Sequence, residues 1–187
     1  MAAAAVATDL RRRRGLPPVL AADTRVLILG SFPGEASLAA GQYYAHPRNH
    51  FWPVLAAILD EPLVTMAYGA RLACLRAHRI GVWDTIVSCR RRGSLDGAIR
   101  AATRGETARV RRTAPAVALV CFNGRTAARA ETAWRAAGYA TLSLPSTSPA
   151  YTRPFAEKLA AWRAIGDHLA HESSAIDSMV PSRRATA

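Results

Sequence analysis

Four large apolar residues in a row, Val26 to Leu29, run straight into the loop Gly30-Ser31-Phe32-Pro33-Gly34. An apolar run without polar alternation suits a strand covered on both faces, as in a parallel sheet. Helical spacing follows over 51–59, with Phe51, Leu55, Ile58 and Leu59 on one face and Pro53 in the first turn, where its missing N–H costs nothing. A second helix is expected from about Met66 to His78. The apolar stretch Ile80 to Val87 reads as a short strand interrupted by Trp83-Asp84-Thr85. Ala116 to Phe122 and Ala140 to Leu144 read as two more strands, and a helix over 126–137 between them is stopped by Gly138. An amphipathic helix from Pro154 to His168 closes the pattern. Strand and helix alternate through the body, which predicts an α/β three-layer sandwich: a central, mainly parallel four-stranded sheet flanked by helices.

The length of 187 residues, half of them apolar, supports a single domain over 17–171. Residues 1–16, rich in Ala and Arg, and residues 172–187 are expected to be disordered tails. No apolar run approaches the roughly 20 residues of a membrane span. The N-terminus places its apolar residues before its charges, the reverse of a secretory signal. A soluble, cytoplasmic, monomeric protein with no membrane partner is the expectation.

The net charge is +12, of which the first fourteen residues contribute +3 and residues 172–187 nothing, leaving +9 on the body. The most basic stretch is 90–112, with eight Arg against Asp96 and Glu106. Such an excess favours a polyanionic partner, nucleic acid first. It also fits a plain Arg bias, because 24 of the 25 basic residues are Arg. Cys74, Cys89 and Cys121 are isolated and lack the C-x-x-C spacing of a zinc or four-cysteine iron–sulfur site. Reduced structural thiols are the expectation.

Ligands of open parallel sheets bind beyond the carboxyl ends of the strands. Three expected strand ends carry unusual loops: Gly30 to Gly34, Asn123-Gly124, and Pro145 to Tyr151. Between the first loop and the 51–59 helix lies Tyr43-Tyr44-Ala45-His46-Pro47-Arg48-Asn49-His50. A carboxamide at Asn49 can hold a water and place its oxygen near positive charge developing on a sugar; it equally suits a helix cap before Phe51. His46 and His50 flank it as proton donors or as surface histidines. Asn123 offers one donor and one acceptor to a base edge, or serves as a turn Asn before Gly. Tyr44 can stack on an extruded base or pack in the core. Ser146, Thr147 and Ser148 supply hydroxyls and N–H groups for phosphates, or a capped turn. Arg90 to Arg92 fit backbone neutralisation or a solvated face. Neither a dinucleotide fingerprint, nor a P-loop, nor a nucleophile elbow is present. The single lysine, Lys158, falls in the last expected helix, so Schiff-base chemistry lacks its amine at the site.

Together four segments resemble the uracil-DNA glycosylase superfamily, and within it the hypoxanthine-DNA glycosylases: Gly30 to Gly34 with Ser37-Leu38; Gln42 through Trp52; Trp83-Asp84 through Cys89 to Gly93-Ser94-Leu95-Asp96; and Leu144 through Ala150. The resemblance implies a monofunctional enzyme that excises deaminated bases from double-stranded DNA, hypoxanthine above all, without metal or cofactor. The mismatch-specific branch of the superfamily carries a catalytic Asn where this chain has Phe32. The resemblance therefore moves the catalytic role to Asn49, with Asn123 as a second, base-contacting Asn and Tyr44 as the stacking aromatic. Gly30, Ser31 and Phe32 become the backbone cradle for the base. Ser146, Thr147, Ser148 and Pro149 align with the segment that presses into the minor groove, although this loop has no large apolar wedge at its tip. Uracil or broad-range excision, and DNA binding without turnover, are the alternatives.

Overall fold

The computed structural model describes residues 11–179. Its centre is a four-stranded parallel sheet of β2 (Val26–Gly30), β3 (Ile80–Asp84), β6 (Leu119–Asn123) and β7 (Ala140–Leu144), in the order β3-β2-β6-β7. In register, Gly30 pairs with Asp84 and Asn123 with Leu144, so the carboxyl ends of all four strands line one edge. β2, β3 and β6 are buried throughout because both sheet faces are covered.

One face packs Val26, Ile28, Val82 and Cys121 against α2 (Phe51–Leu59), α3 (Tyr68–Ala77), α7 (Phe155–Trp162) and the start of α8 (Ala164–Met179), through Phe51, Leu55, Leu75, Trp162 and Ile165. The other face packs Leu27, Leu29, Val120 and Phe122 against α4 (Thr107–Thr113), α5 (Arg125–Ala128) and α6 (Glu131–Ala136), through Val110, Ala127 and Trp134. The sandwich is the expected one, and helix 51–59 has its expected bounds. The expected helix over 126–137 is split in two at Arg129 and Ala130.

Other features differ from the expectation. The apolar stretch after Ile80 is two strands, not one. It breaks at Thr85, and β4 (Ile86–Arg90) leaves the parallel sheet to join a second, antiparallel sheet with β1 (Arg12–Arg14) and β5 (Arg100–Arg104), in the order β1-β4-β5. Arg12 to Arg14, expected in a disordered tail, thus form a strand, because the unpaired edge of β4 offers them a ladder of backbone partners. The C-terminal tail expected from residue 172 also begins later, since α8 continues to Met179. Residues 1–10 and 180–187 of the expected tails lie outside the described residues. Finally, Ser94 supports a neighbouring helix. Its Oγ accepts the Glu35 N–H at 2.9 Å and so serves the start of α1 (Glu35–Ala40).

Among the described residues, no helix is long and apolar enough to cross a membrane.

Candidate active site

Gly30 ends β2, and its lack of a side chain is what lets the site form. A Cβ there would overlap Asp84 Oδ1 and lie 3.1 Å from Tyr44 Oη. The carboxyl of Asp84, at the end of β3, thus leans over the end of β2, and the Tyr44 hydroxyl meets it at the same point. Asp84 is 5 % exposed. Its Oδ2 and the Tyr44 hydroxyl are both buried without a hydrogen-bond partner. Native structures rarely leave such groups unmatched, and the exceptions ask for a ligand or a water. Burial, reinforced by the nearby Asp96 carboxylate and only partly opposed by Arg91, pushes the Asp84 carboxyl up to about 8. At neutral pH it is a neutral acid, with one O–H donor and acceptor capacity besides.

Asn123 ends β6 on the other side of β2 and is 9 % exposed. Its Oδ1 accepts the Thr147 N–H at 2.9 Å, and its Nδ2 donates to Thr147 Oγ1 at 2.8 Å. An N–H can only donate, so the amide orientation is fixed by chemistry rather than chosen. One N–H and one lone pair of Asn123 remain beyond this clamp. Gly124 follows with φ +92°, and a Cβ there would come within 2.8 Å of Ser146 Cβ. The glycine lets the 145–151 loop close onto the strand end.

Thr147 itself is fully buried, with both its N–H and its Oγ1 used on Asn123. It is therefore not available to a phosphate, and the expected DNA contact through Thr147 is corrected to an anchor. Ser146 and Ser148 keep free O–H donors: their oxygens accept the N–H groups of Ser148 and Ala150. Beneath the loop, Lys158 Nζ donates to the Tyr151 carbonyl at 2.6 Å and meets the Ser148 carbonyl at 3.5 Å. The lone lysine is buried as a loop support.

Tyr44, at φ 55°, stacks on Phe51 with centroids 3.8 Å apart and planes 14° apart. One ring face is thereby closed, and only the opposite face remains for a base. Burial and the nearby Asp84 carboxyl raise its hydroxyl pKa, so it stays a neutral donor. Asn49 Oδ1 accepts the Phe51 N–H at 3.0 Å, a local turn one residue ahead of the α2 N-cap, which is His50 and carries no side-chain cap, so Asn49 is not itself the helix cap. This bond holds the carboxamide at the start of α2. The next residue, His50, donates its N–H to the Thr147 carbonyl at 3.0 Å, which ties the start of α2 to the Asn123 loop. Burial, with help from the Lys158 cation, lowers the His50 pKa, so its ring is neutral at physiological pH. His46 Nδ1 accepts the Arg48 N–H and makes a local turn.

The Gly30–Gly34 loop is braced from the second sheet. Gly30 and Ser31 carbonyls accept the Thr85 and Ile86 N–H groups at 2.8 and 3.0 Å. The Ser31 hydroxyl donates to Asp96 at 2.7 Å, and the Arg91 guanidinium donates to the Pro33 carbonyl. The Phe32 ring turns away from the strand ends, packing with Ile86 and Cys89 under Arg91. Phe32 thus has only backbone to offer a base. Arg91 is buried in this brace, so the solvated or phosphate-facing role is left to Arg90 and Arg92.

Sequence reasoning missed Asp84. The available signals are an acid at the end of an otherwise apolar run and its place in one of the segments that carry the resemblance, neither of which assigns it a role. Elsewhere, Glu61, Cys74 and His78 bring potential ligand atoms within 4.8 Å of one another. There the carboxylate already holds His78 Nε2 at 3.0 Å, at the opposite end of β3 from Asp84.

A cluster of buried polar groups thus sits at the carboxyl ends of a β3-β2-β6-β7 parallel sheet. The family model of the Uracil DNA glycosylase superfamily matches residues 17–169. The chain belongs to the uracil-DNA glycosylase superfamily. Among relatives of this glycosylase-family chain is a hypoxanthine DNA glycosylase of Methanosarcina acetivorans, 38 % identical over 156 residues that cover 83 % of this chain and 99 % of the relative. Another, from Methanosarcina barkeri, is 37 % identical over 151 residues, covering 81 % and 96 %. A solution NMR structure of a putative uracil DNA glycosylase from Methanosarcina acetivorans superposes with a TM-score of 0.79 at 38 % identity, covering 86 % of this chain and all of the other.

Proposed function

We propose that this superfamily member is a monofunctional glycosylase, acting as a monomer, that extrudes a deaminated base from double-stranded DNA and hydrolyses its N-glycosidic bond, hypoxanthine being the preferred base. The observation that carries the reading is the cluster of buried, unmatched polar atoms around Gly30, from Asp84, Tyr44 and the free valences of Asn123. The two relatives named hypoxanthine DNA glycosylase support the choice of base.

Hypoxanthine presents O6 as acceptor and N1–H as donor. Neutral Asp84 and Asn123 each offer one donor and one acceptor, so either matches that pair. Adenine reverses both groups, with an amino donor and N1 as acceptor. An unrestrained amide could rotate to suit it, but the Thr147 clamp holds Asn123 in one orientation. Discrimination then comes from leaving polar groups unpaired with the wrong base. The base rests on the open face of Tyr44, with the Ser31 and Phe32 N–H groups at its edge.

Extrusion costs a few kcal/mol, and less for a mispaired base. Ser146 and Ser148 hydroxyls hold backbone phosphates on the β7 side. On the β3 side, Leu95 is 66 % exposed, while its neighbours Ser94 and Asp96 are hydrogen-bonded to Glu35 N–H and the Ser31 hydroxyl. An apolar side chain held out on pinned backbone suits the gap the base leaves in the stack. As the glycosidic bond lengthens, positive charge grows on the sugar. Asn49 places a water whose oxygen bonds to the sugar C1′, and the released proton passes to the departing base. Lys158 stays under its loop, so the products are an abasic site and free base.

Duplexes carrying hypoxanthine, uracil, xanthine or a thymine mismatch, incubated and then cleaved with alkali, test the reading. Strongest cleavage at hypoxanthine is expected. Cleavage at uracil alone moves the preference to uracil, and tight binding without cleavage leaves a DNA-binding relative.

A further inference from the structure

The β1-β4-β5 sheet braces the Gly30–Gly34 loop from one side, and its remaining surface has an unusual composition. Arg12 pairs in register with Arg90, and Arg90 with Arg100. Register partners on neighbouring strands point to the same face. Three arginines therefore stand in one row across the sheet, spanning about 10 Å at the usual strand spacing. Arg14, two residues from Arg12, joins that face, while Arg13 points the other way and pairs with Glu35 at 3.3 Å. All five residues of β5 are exposed, including Arg104 at its far end.

Like charges directly opposite one another destabilise a sheet. Here no carboxylate among the described residues pairs with Arg12, Arg14, Arg100 or Arg104. The row is nevertheless organised. Arg12 donates to Ser88 Oγ at 2.9 Å and to Thr103 Oγ1, and Arg100 donates to the Gly97 and Ile99 carbonyls at 2.8 Å. Guanidinium groups so held lose less freedom when an anion arrives.

Position selects the anion. β4 begins two residues after Asp84, and Arg91, Ser94 and Asp96 fasten its far end to the Gly30–Gly34 loop. The sheet therefore grows from the site end of β3, on the opposite flank from the 146–149 loop after β7. A duplex lying over the strand ends passes across both. Each DNA strand carries about one negative charge per 3.4 Å of axis, so about three phosphates of one backbone span a 10 Å row.

We propose that the arginine face of the β1-β4-β5 sheet, through Arg12 and Arg100, docks the phosphate backbone of the duplex flanking the extruded base. This rests on the glycosylase reading for its duplex partner but is tested separately from excision. The dissociation constant for an undamaged duplex is measured by fluorescence anisotropy between 50 and 200 mM salt, for the wild type, Arg12→Gln/Arg100→Gln and Arg12→Lys/Arg100→Lys. Each lost phosphate contact removes about 0.9 from the slope of log affinity against log salt. The glutamine pair is expected to flatten the slope by about 2, making the fall in affinity over this range about tenfold smaller. The lysine pair is expected to keep the wild-type slope. A glutamine pair with the wild-type slope, or a lysine pair as flat as the glutamine pair, overturns the proposal. Failure of the wild type to release any base overturns the glycosylase reading instead and leaves this measurement intact.

Discussion

Above about pH 8 the Asp84 carboxyl ionises, and the pocket loses an O–H donor while gaining a negative charge beneath the base. The cause is burial first and the Asp96 carboxylate second. The sign follows from the raised value: the competent neutral acid is fully present below pH 7 and is lost as pH rises through about 8. One unit above the pKa, about a tenth of the groups remain protonated, so single-turnover excision of hypoxanthine is expected to fall about tenfold between pH 7 and pH 9. Asp84→Asn keeps one donor and one acceptor but cannot ionise, and its rate is expected to stay flat over that range. Stability moves in the same direction. The native chain holds a proton that the unfolded chain releases near pH 4, so wild-type stability declines as pH climbs from there to about 8, and Asp84→Asn removes that part of the decline. The assay is alkali cleavage of an end-labelled duplex after excision at saturating enzyme, from pH 6 to 9.5. A wild-type rate still flat at pH 9.5, or an alkaline limb retained in Asp84→Asn, refutes the assignment.

Three further substitutions probe the supports of the pocket. Thr147→Val cannot accept from Asn123 Nδ2, which leaves a buried donor unpaired at a cost of about 1–3 kcal/mol; lower excision and weaker preference over adenine are expected, with Thr147→Ser near wild type in the same duplex panel. Gly30→Ala drives a methyl into Asp84 Oδ1, and a loss of excision with a lowered Tm is expected by kinetic assay and thermal melt. Leu95→Ala is expected to slow excision about tenfold when hypoxanthine is stably paired, since extrusion then costs a few kcal/mol, and to leave single-stranded substrate unaffected; equal slowing on both substrates refutes the gap-filling role.

Legibility in the sequence followed the range of the interactions. The strands and the 51–59 helix were readable because local apolar periodicity reflects which faces the sheet buries. The Gly30 and Asn123 loops were readable because strand ends of a parallel sheet share one edge. The antiparallel sheet was not. Arg12–Arg14 and Arg100–Arg104 have no apolar alternation, and they become strands only through backbone pairing with β4, from Arg12↔Arg90 on one side and Arg90↔Arg100 on the other. Asn123 illustrates a partial reading: the side chain is at the site, but half its capacity goes to Thr147, a partner 24 residues away that no local pattern announces. Asp84 was hidden for the same reason. Its meaning comes from register with Gly30, which places a carboxyl against a residue with no side chain.

The most direct test compares release of free hypoxanthine from one duplex by the wild type and by Asn49→Ala. The variant also loses the hydrogen bond to the Phe51 N–H, worth about 1 kcal/mol, so both are assayed well below their melting temperatures. The account predicts free hypoxanthine and an abasic site from the wild type, and a 10²–10³-fold slower release by Asn49→Ala at unchanged duplex affinity, as about expected for removing one group that stabilises developing charge. Near-wild-type release by Asn49→Ala contradicts it.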